Sequence, residues 1–326
     1  VQYQNGHHIV YPILFKEQYG SLSSINCFLY NNGSTLTLID AGLSTPEFNE
    51  FFQQQLKQYK LSIQDIDQIF LTHHHDDHTG QVNQILSQKQ VQVYAHHLAI
   101  PRLLFEEQYL TNKYNFFVKI YGEYGCLDIS ADRFKKMEKT FLNRENLKLN
   151  TEVIPLHHGD IINEMYIIEA PGHSPDSIIF SEQPVRWQFS GDLLLENAPT
   201  NALIDFDEKL ELLPTVSQYR ESLLKLNALE AEWIFPGHEK IFQNHNLEID
   251  NKLKKMDRKE QRIIDAVRNG NNKTVEIARA IYGKKVETQT FFVLSEVIGY
   301  LEYAIGRGKL AKEMRDGEWF FQPVYP

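Results

Sequence analysis

Thr72-His73-His74-His75-Asp76-Asp77-His78 sets four imidazoles and two carboxylates in six consecutive positions, directly after the apolar stretch Gln68 to Leu71. Adjacent histidines have no packing advantage in a loop, and a solvated polar run needs no strand before it. Metal coordination accounts for the pattern. Borderline divalent ions such as zinc take imidazole nitrogen and carboxylate oxygen, and His73-x-His75 lets alternate side chains face one ion while Asp77-His78 turns to a second. His74 and Asp76 fill the intervening positions, either supporting the ligands or facing solvent.

A metal site built on a sheet needs further ligands at the ends of other strands. Ala170-Pro171-Gly172-His173-Ser174, Phe189-Ser190-Gly191-Asp192 and Phe235-Pro236-Gly237-His238-Glu239 each follow an apolar run and present one ligand type after a small turn. Any one of them alone reads as a turn; three together with the histidine run read as one site. The pairs His96-His97 and His157-His158 lie outside this pattern and read as polar-loop or surface histidines.

Around the ligands the chain alternates strands and helices. Strands are expected over Ile9 to Phe15, Ile25 to Tyr30 and Thr35 to Ile39, with Asn31-Asn32-Gly33 as a hairpin turn. A helix follows from Pro46 to Tyr59, capped by Ser44 or Thr45. A helix from Gly80 to Ser87 and a strand Val91 to Tyr94 come next. Residues 97–150 break the rhythm with aromatic, amphipathic, mostly helical sequence that reads as an inserted cap. Strands return at Tyr166 to Ala170, Ser177 to Phe180, Val185 to Ser190 and Trp233 to Phe235, with a helix Thr215 to Leu226 before the last. After a charged connector at Asn251 to Gln261, the tail reads as helices Arg258 to Arg268, Thr274 to Tyr282 and Thr288 to Arg307, then a hairpin of Lys309 to Met314 and Glu318 to Phe321. Three helices and a hairpin describe a winged helix.

Composition bounds the rest. A chain of 326 residues, 42% apolar and 23% charged, is an ordinary folded protein of about two domains. No apolar window approaches a membrane span, and Val1 to Val10 has neither the basic nor the apolar region of a secretory signal. Cys27 and Cys126 are too few and too far apart for a disulfide framework, so a cytoplasmic location is expected. The net charge of −10 is uneven: residues 251–326 carry 15 Lys+Arg and 10 Asp+Glu, which leaves 18 bases against 33 acids in residues 1–250. That excess disfavours polyanion binding by the larger part.

With His73, His75, Asp77 and His78 completing HxHxDH, and with His173, Asp192 and His238 on later strand ends, the sequence resembles the metallo-β-lactamase-fold hydrolase superfamily over roughly residues 8–245, outside the insert and the tail. The resemblance implies an α+β chain: an αββα sandwich over residues 1–250 with a helical insert at about 97–150, and a small winged-helix-like domain over 251–326. It implies two divalent metal ions, zinc first, with manganese or iron as substitutes. His73, His75 and His173 would bind one, Asp77, His78 and His238 the other, and Asp192 would bridge. Asp77 would also orient the hydroxide, and Asp40, in Asp40-Ala41-Gly42, matches a supporting carboxylate of the family, unless it only caps its turn. Two ions held about 3.5–4 Å apart acidify a bridging water and polarise the substrate oxygen, so a metal-dependent hydrolase is implied. Aspartate at 192, where the main zinc β-lactamases place cysteine, argues against antibiotic hydrolysis.

Two substrate classes are open. Esters, thioesters or lactones of small molecules suit the glyoxalase II-like and lactonase-like members; phosphodiesters, RNA included, suit the ribonuclease branches, which the winged-helix-like tail also resembles. The helix Thr288 to Arg307 is apolar around most of its surface, so it is expected to be buried or to form a homodimer interface rather than to read DNA. The rings of Tyr109, Tyr114, Phe116, Phe117, Tyr121 and Tyr124 either line an apolar pocket over the metals or form helix core. A small-molecule acyl substrate is the favoured expectation.

Overall fold

The computed structural model describes residues 2–16 and 22–325. Seven strands, β1 (Tyr3–Asn5), β2 (His8–Phe15), β3 (Ile25–Asn31), β4 (Leu36–Ile39), β5 (Gln68–Phe70), β6 (Gln92–His96) and β7 (Val153–Leu156), pair in sequence order. The first four run antiparallel and β4 to β7 run parallel. A second sheet contains β8 (Ile161–Ile162), β9 (Met165–Glu169), β10 (Ile178–Glu182), β11 (Trp187–Gly191) and β12 (Trp233–Pro236), in the order β12-β11-β10-β9-β8.

The two-residue period of the strands puts one set of side chains between the sheets and the other under helices. Ile39 and Phe70 join Phe28, Phe180, Phe189 and Phe235 in the inter-sheet core, while Leu38 and Ile69 face outward. Phe70 stacks on Phe180 across the gap, with ring centroids 4.9 Å apart. On the outer side of the first sheet lie α1 (Pro46–Gln58) and α3 (Val82–Leu86), and α2 (Asp76–Thr79) sits beyond the end of β5. Thr45 caps α1 by accepting from the Phe48 amide at 3.2 Å, and Phe48, Phe52 and Leu56 recur every four residues along the buried face. This is the expected αββα sandwich.

The insert between β6 and β7 is helical as expected: α4 (Ile100–Leu103), α5 (Glu107–Glu123), α6 (Ala131–Leu142) and α7 (Arg144–Leu147). Tyr109, Phe116, Phe117, Tyr121 and Tyr124 are buried, and four of them, Phe116, Phe117, Tyr121 and Tyr124, belong to the core under the second sheet. The rings of these four pack in helix core, whereas Tyr109, outside it, stacks on Phe206 and Tyr114 is half-buried. Phe117 and Tyr124 pack against Phe291 and Phe321 of the tail.

Helix α8 (Thr215–Asn227) precedes β12, and the tail holds α9 (His245–Arg268), α10 (Thr274–Tyr282), α11 (Lys285–Thr288), α12 (Thr290–Gly306) and the hairpin β13 (Leu310–Arg315) with β14 (Glu318–Pro323). The charged connector expected at Asn251 to Gln261 is instead the middle of α9, which starts thirteen residues before the expected Arg258. Ile249, Met256, Ile263 and Val267 keep one face of it apolar, and the charges between them lie mostly on the other faces and mask that stripe in the sequence. Helix α9 therefore runs straight through residue 250, and the tail shares one apolar core with the second sheet. Helix α12 is buried along most of its length, including Leu294, Val297, Ile298 and Leu301, as expected from its apolar sequence. Among the described residues no helix is long and apolar enough to cross a membrane. Both cysteines are free and buried.

Candidate metal centre

All the expected ligands meet at one edge of the sandwich, where β5, β9, β11 and β12 end. The histidine run is not all loop: α2 takes up Asp76 to Thr79, and this single turn carries Asp77 and His78 inward while Asp76 stays exposed. Its stability comes from the chain behind it. Ala41 donates its amide to the His78 carbonyl at 2.6 Å, and Gly80 donates to the Gly42 carbonyl at the same distance.

His73, His75 and His173 form a first set. His75 Nδ1 lies 2.9 Å from His73 Nε2 and 3.1 Å from His173 Nε2. His173 donates through Nδ1 to the Asn201 carbonyl at 3.0 Å, which leaves Nε2 as the ring's electron pair. Three nitrogens thus converge where at most one proton could serve two of them, the arrangement a cation completes. Burial keeps all three imidazoles neutral by lowering their pKa, most strongly for His73 and His75.

Asp77, His78 and His238 form a second set, with Asp192 between the two. His238 Nε2 sits 3.3 Å from Asp77 Oδ2 and 3.3 Å from Asp192 Oδ2, and His78 Nε2 sits 3.4 Å from Asp192 Oδ1. Asp192 Oδ2 is also 3.6 Å from His173 Nε2 of the first set. Here the carboxylates reverse the effect of burial. His78 is raised well above the ordinary histidine value, against desolvation, by Asp40, Asp192 and Asp77; His238 is pushed up to about 10, against desolvation, chiefly by Asp192. Asp77 is held at about 2, against desolvation, by His78 and His238.

The residues present fit metal ions. His73, His75 and His173, then His73, His78 and Asp192, then Asp77, His78 and His238 each bring three ligand atoms within 4.8 Å of one another. His78 Nε2, His238 Nε2 and Asp192 Oδ1 are buried with no well-formed hydrogen bond. Space is kept open by glycine. A Cβ at Gly237 would lie 2.5 Å from His78 Cε1 and 2.6 Å from Asp192 Oδ1, which is why the turn before His238 carries no side chain.

A ring of hydrogen bonds orients the ligands. Asp40 accepts from the His78 Nδ1 at 2.8 Å and from the Thr72 amide and hydroxyl, both at 2.8 Å, so it supports a ligand and ties down its turn together. His238 donates through Nδ1 to the Ser24 carbonyl at 2.7 Å. His74 is half-buried and its amide and Nδ1 both reach Asp176 at 2.8 Å. Asp176 was not legible as a site residue, although it stands three positions after His173 in His173-Ser174-Pro175-Asp176. Of the outlying pairs, His157 and His158 are exposed as expected, but His96 is buried and 3.1 Å from Glu169 Oε1. The reason is register: His96 ends β6 beside β7, facing the second sheet.

Comparison with known proteins agrees with this architecture. The metallo-beta-lactamase superfamily model matches residues 20–238. The probable metallo-hydrolase YqjP of Bacillus subtilis is 26% identical over 276 residues, 83% of this chain and 84% of that protein. An atrochrysone carboxyl ACP thioesterase of Emericella nidulans is 23% identical over 306 residues, 90% of this chain and 79% of that one. Among solved structures, the metallo-beta-lactamase family protein TTHA1429 of Thermus thermophilus superposes with a TM-score of 0.77 at 18% identity, covering 97% of this chain and 98% of its own. With its sandwich, its HxHxDH turn and the match across residues 20–238, this chain belongs to the metallo-beta-lactamase superfamily.

Proposed function

We propose that the protein is a two-metal hydrolase of small-molecule carboxylic esters, above all thioesters. The observation that carries this reading is the pair of ligand sets joined by Asp192, whose oxygens lie 3.3 to 3.6 Å from nitrogens of both. When bound, two divalent ions would acidify a water and polarise the substrate carbonyl. The chain's own part is to hold and aim. Asp192 holds the two sets at a fixed separation, and Asp77 lies between His238, 3.3 Å from its Oδ2, and His78, 3.9 Å from its Oδ1, where a carboxylate can both ligate and orient a water. Asp40, Asn201 and Ser24 keep the inward nitrogens of His78, His173 and His238 unprotonated once a ligand is there. No serine or cysteine nucleophile is required.

The charge distribution supports an acyl substrate over a phosphodiester. The ligand-bearing residues 1–250, at net −15, repel a nucleic-acid backbone, and the +5 of the tail does not offset that. Several of the tail's bases are also held within the fold: Lys259 pairs with Glu296, Arg307 and Lys309 with Glu260, Lys312 with Glu302, Lys273 with Glu318 and Arg315 with Glu313. The thioesterase activity named for the relative from Emericella nidulans points the same way. The test is a panel on metal-reconstituted protein, with esters, thioesters and lactones in one arm and bis-p-nitrophenyl phosphate and single-stranded RNA in the other. Turnover confined to the acyl arm is expected; turnover confined to the phosphodiester arm contradicts the proposal.

A further inference from the structure

The insert carries a second cluster of polar groups that the metal ligands do not use. Arg102 closes α4, Tyr109 and Lys113 lie one turn apart on α5, Tyr121 lies two turns further on, and Arg133 comes from α6. The Arg102 guanidinium sits over the Tyr109 ring at 4.8 Å from its centroid, and Lys113 Nζ approaches the same ring at 5.6 Å. Arg133 lies against Phe117 and Phe291, at 3.9 and 3.6 Å. Of the three cations only Arg102 has a carboxylate, Asp205 at 3.2 Å; its other contact is the Leu98 carbonyl at 2.7 Å. Lys113 and Arg133 form no ion pair with any described residue, and both are half-buried.

Several polar atoms here are buried without partners: Arg102 Nε, Tyr109 Oη, Tyr121 Oη and Arg133 Nε. Their residues Arg102, Tyr109 and Tyr121 are only 7%, 8% and 0% exposed. Four unmet polar atoms gathered in one cluster call for an explanation, an ordered water or a bound group among them. Water would serve the hydroxyls, but it brings no opposite charge to Lys113 and Arg133, whose partners are aromatic faces alone, and the Lys113 ammonium is already pushed down to about 8, by burial first and by Arg133 next. An anion answers both needs.

The cluster adjoins the metal ligands. Asp205 and Phe206, which stacks on Tyr109, belong to the segment that leaves Asp192 and hands the Asn201 carbonyl to His173. From the other side, the charge of Asp176, the partner of His74, acts on Arg102, Tyr109 and Lys113. We infer that Lys113 and Arg133, with Tyr109, Tyr121 and Arg102 beneath them, form the subsite for an anionic group of the substrate, a carboxylate or a phosphate, carried by the ester or thioester whose carbonyl is cleaved at the metal ligands. This inference rests on the hydrolase reading above and narrows its substrate class.

The test compares thioesters that differ in one charge. Pentanoyl and glutaryl thioesters of N-acetylcysteamine exchange a methyl for a carboxylate, and pentanoyl thioesters of pantetheine and of 4′-phosphopantetheine differ by a phosphate. The wild type is expected to favour one anionic member of these pairs. In Lys113→Met or Arg133→Met that preference, the ratio of kcat/KM values, is expected to fall about 10- to 100-fold, the loss of a charge-assisted bond, chiefly through KM. Lys113→Arg, which keeps the charge, should retain most of it. No preference in the wild type, or an equal loss on charged and neutral members in the variants, overturns the inference. If no thioester is turned over at all, the hydrolase reading fails and the subsite is judged by binding: calorimetric titration with glutarate and with inorganic phosphate should show saturable binding to the wild type that Lys113→Met weakens, and absence of any such binding overturns the subsite too.

Discussion

The two ligand sets stand a few ångströms apart and differ in charge. The first is three neutral imidazoles, kept neutral by burial, whose electron pairs face one another. The second mixes histidines with Asp77 and Asp192, and without a metal its histidines keep their protons and pair with those carboxylates. One set therefore offers a cation bare electron pairs, whereas the other holds protons between groups 3.3 to 3.4 Å apart that form no good hydrogen bonds. Burial supplies the same desolvation to both; the carboxylates decide the outcome. The first set is ready to bind, and the second must exchange protons for metal.

The sharpest way to break this contrast is to remove the residue that belongs to both halves. Asp192→Ala should lower turnover by more than about 100-fold, beyond the loss usual for a residue that only supports a ligand, and should lower metal content as well. Full activity with unchanged metal content would sink the shared role. Next comes the proton count. Loading the second set should release roughly two protons per ion, from His78 and His238, while loading the first should release almost none. The sign follows from the shifts: groups whose pKa is raised carry protons at neutral pH that the metal displaces, and groups whose pKa is lowered carry none. Calorimetric metal titrations of His75→Ala and His238→Ala in buffers of different ionisation enthalpy separate the two, and equal release from both sets would erase the difference.

Supporting residues should matter less than ligands. Asp40→Asn disturbs the tautomer of His78 and should cost about 10- to 100-fold in activity or in affinity for the second ion, while His74→Ala, outside both sets, should cost under about 10-fold. Steady-state kinetics with metal analysis on the same samples checks both.

The smallest effect concerns a carboxyl far from the ligands, which supplies a reference for pH effects unrelated to metal. Glu182, which accepts from the Tyr30 hydroxyl at 2.8 Å, is pushed up to about 7 by burial. A carboxyl raised in the folded state stabilises the fold below its ordinary value, and that contribution is lost as pH rises through about 7. Glu182→Gln should therefore match the wild type near pH 5 and exceed it in stability at pH 8, by on the order of 1–3 kcal/mol. Denaturant unfolding at the two pH values reads the gain directly, and a variant less stable at pH 8 would contradict it.

The same contrast explains what could be read from the sequence. The seven residues of the two sets were visible because His73 to His78 concentrates ligand chemistry in one turn and because His173, Asp192 and His238 each follow a strand end. The sandwich was legible only through the resemblance those ligands carry. Asp176 was missed because a lone carboxylate in a turn has no local signature; its role appears only when His74 arrives from a position 102 residues earlier. The start of α9 was missed because the polar run after Ile249 masks an apolar stripe that has meaning only against the packed tail. The cations of the insert carry no signal in the sequence, and only the fold reveals that Lys113 and Arg133 lie against aromatic rings.

Metal stoichiometry is the most direct measurement of the central claim. Inductively coupled plasma mass spectrometry on the purified, metal-reconstituted wild type and on Asp192→Ala should give close to two ions per chain in the first and fewer in the second, with His75→Ala and His238→Ala each losing about one. A wild type that saturates at one ion or none, under conditions where it turns substrate over, would contradict the account of two joined sets.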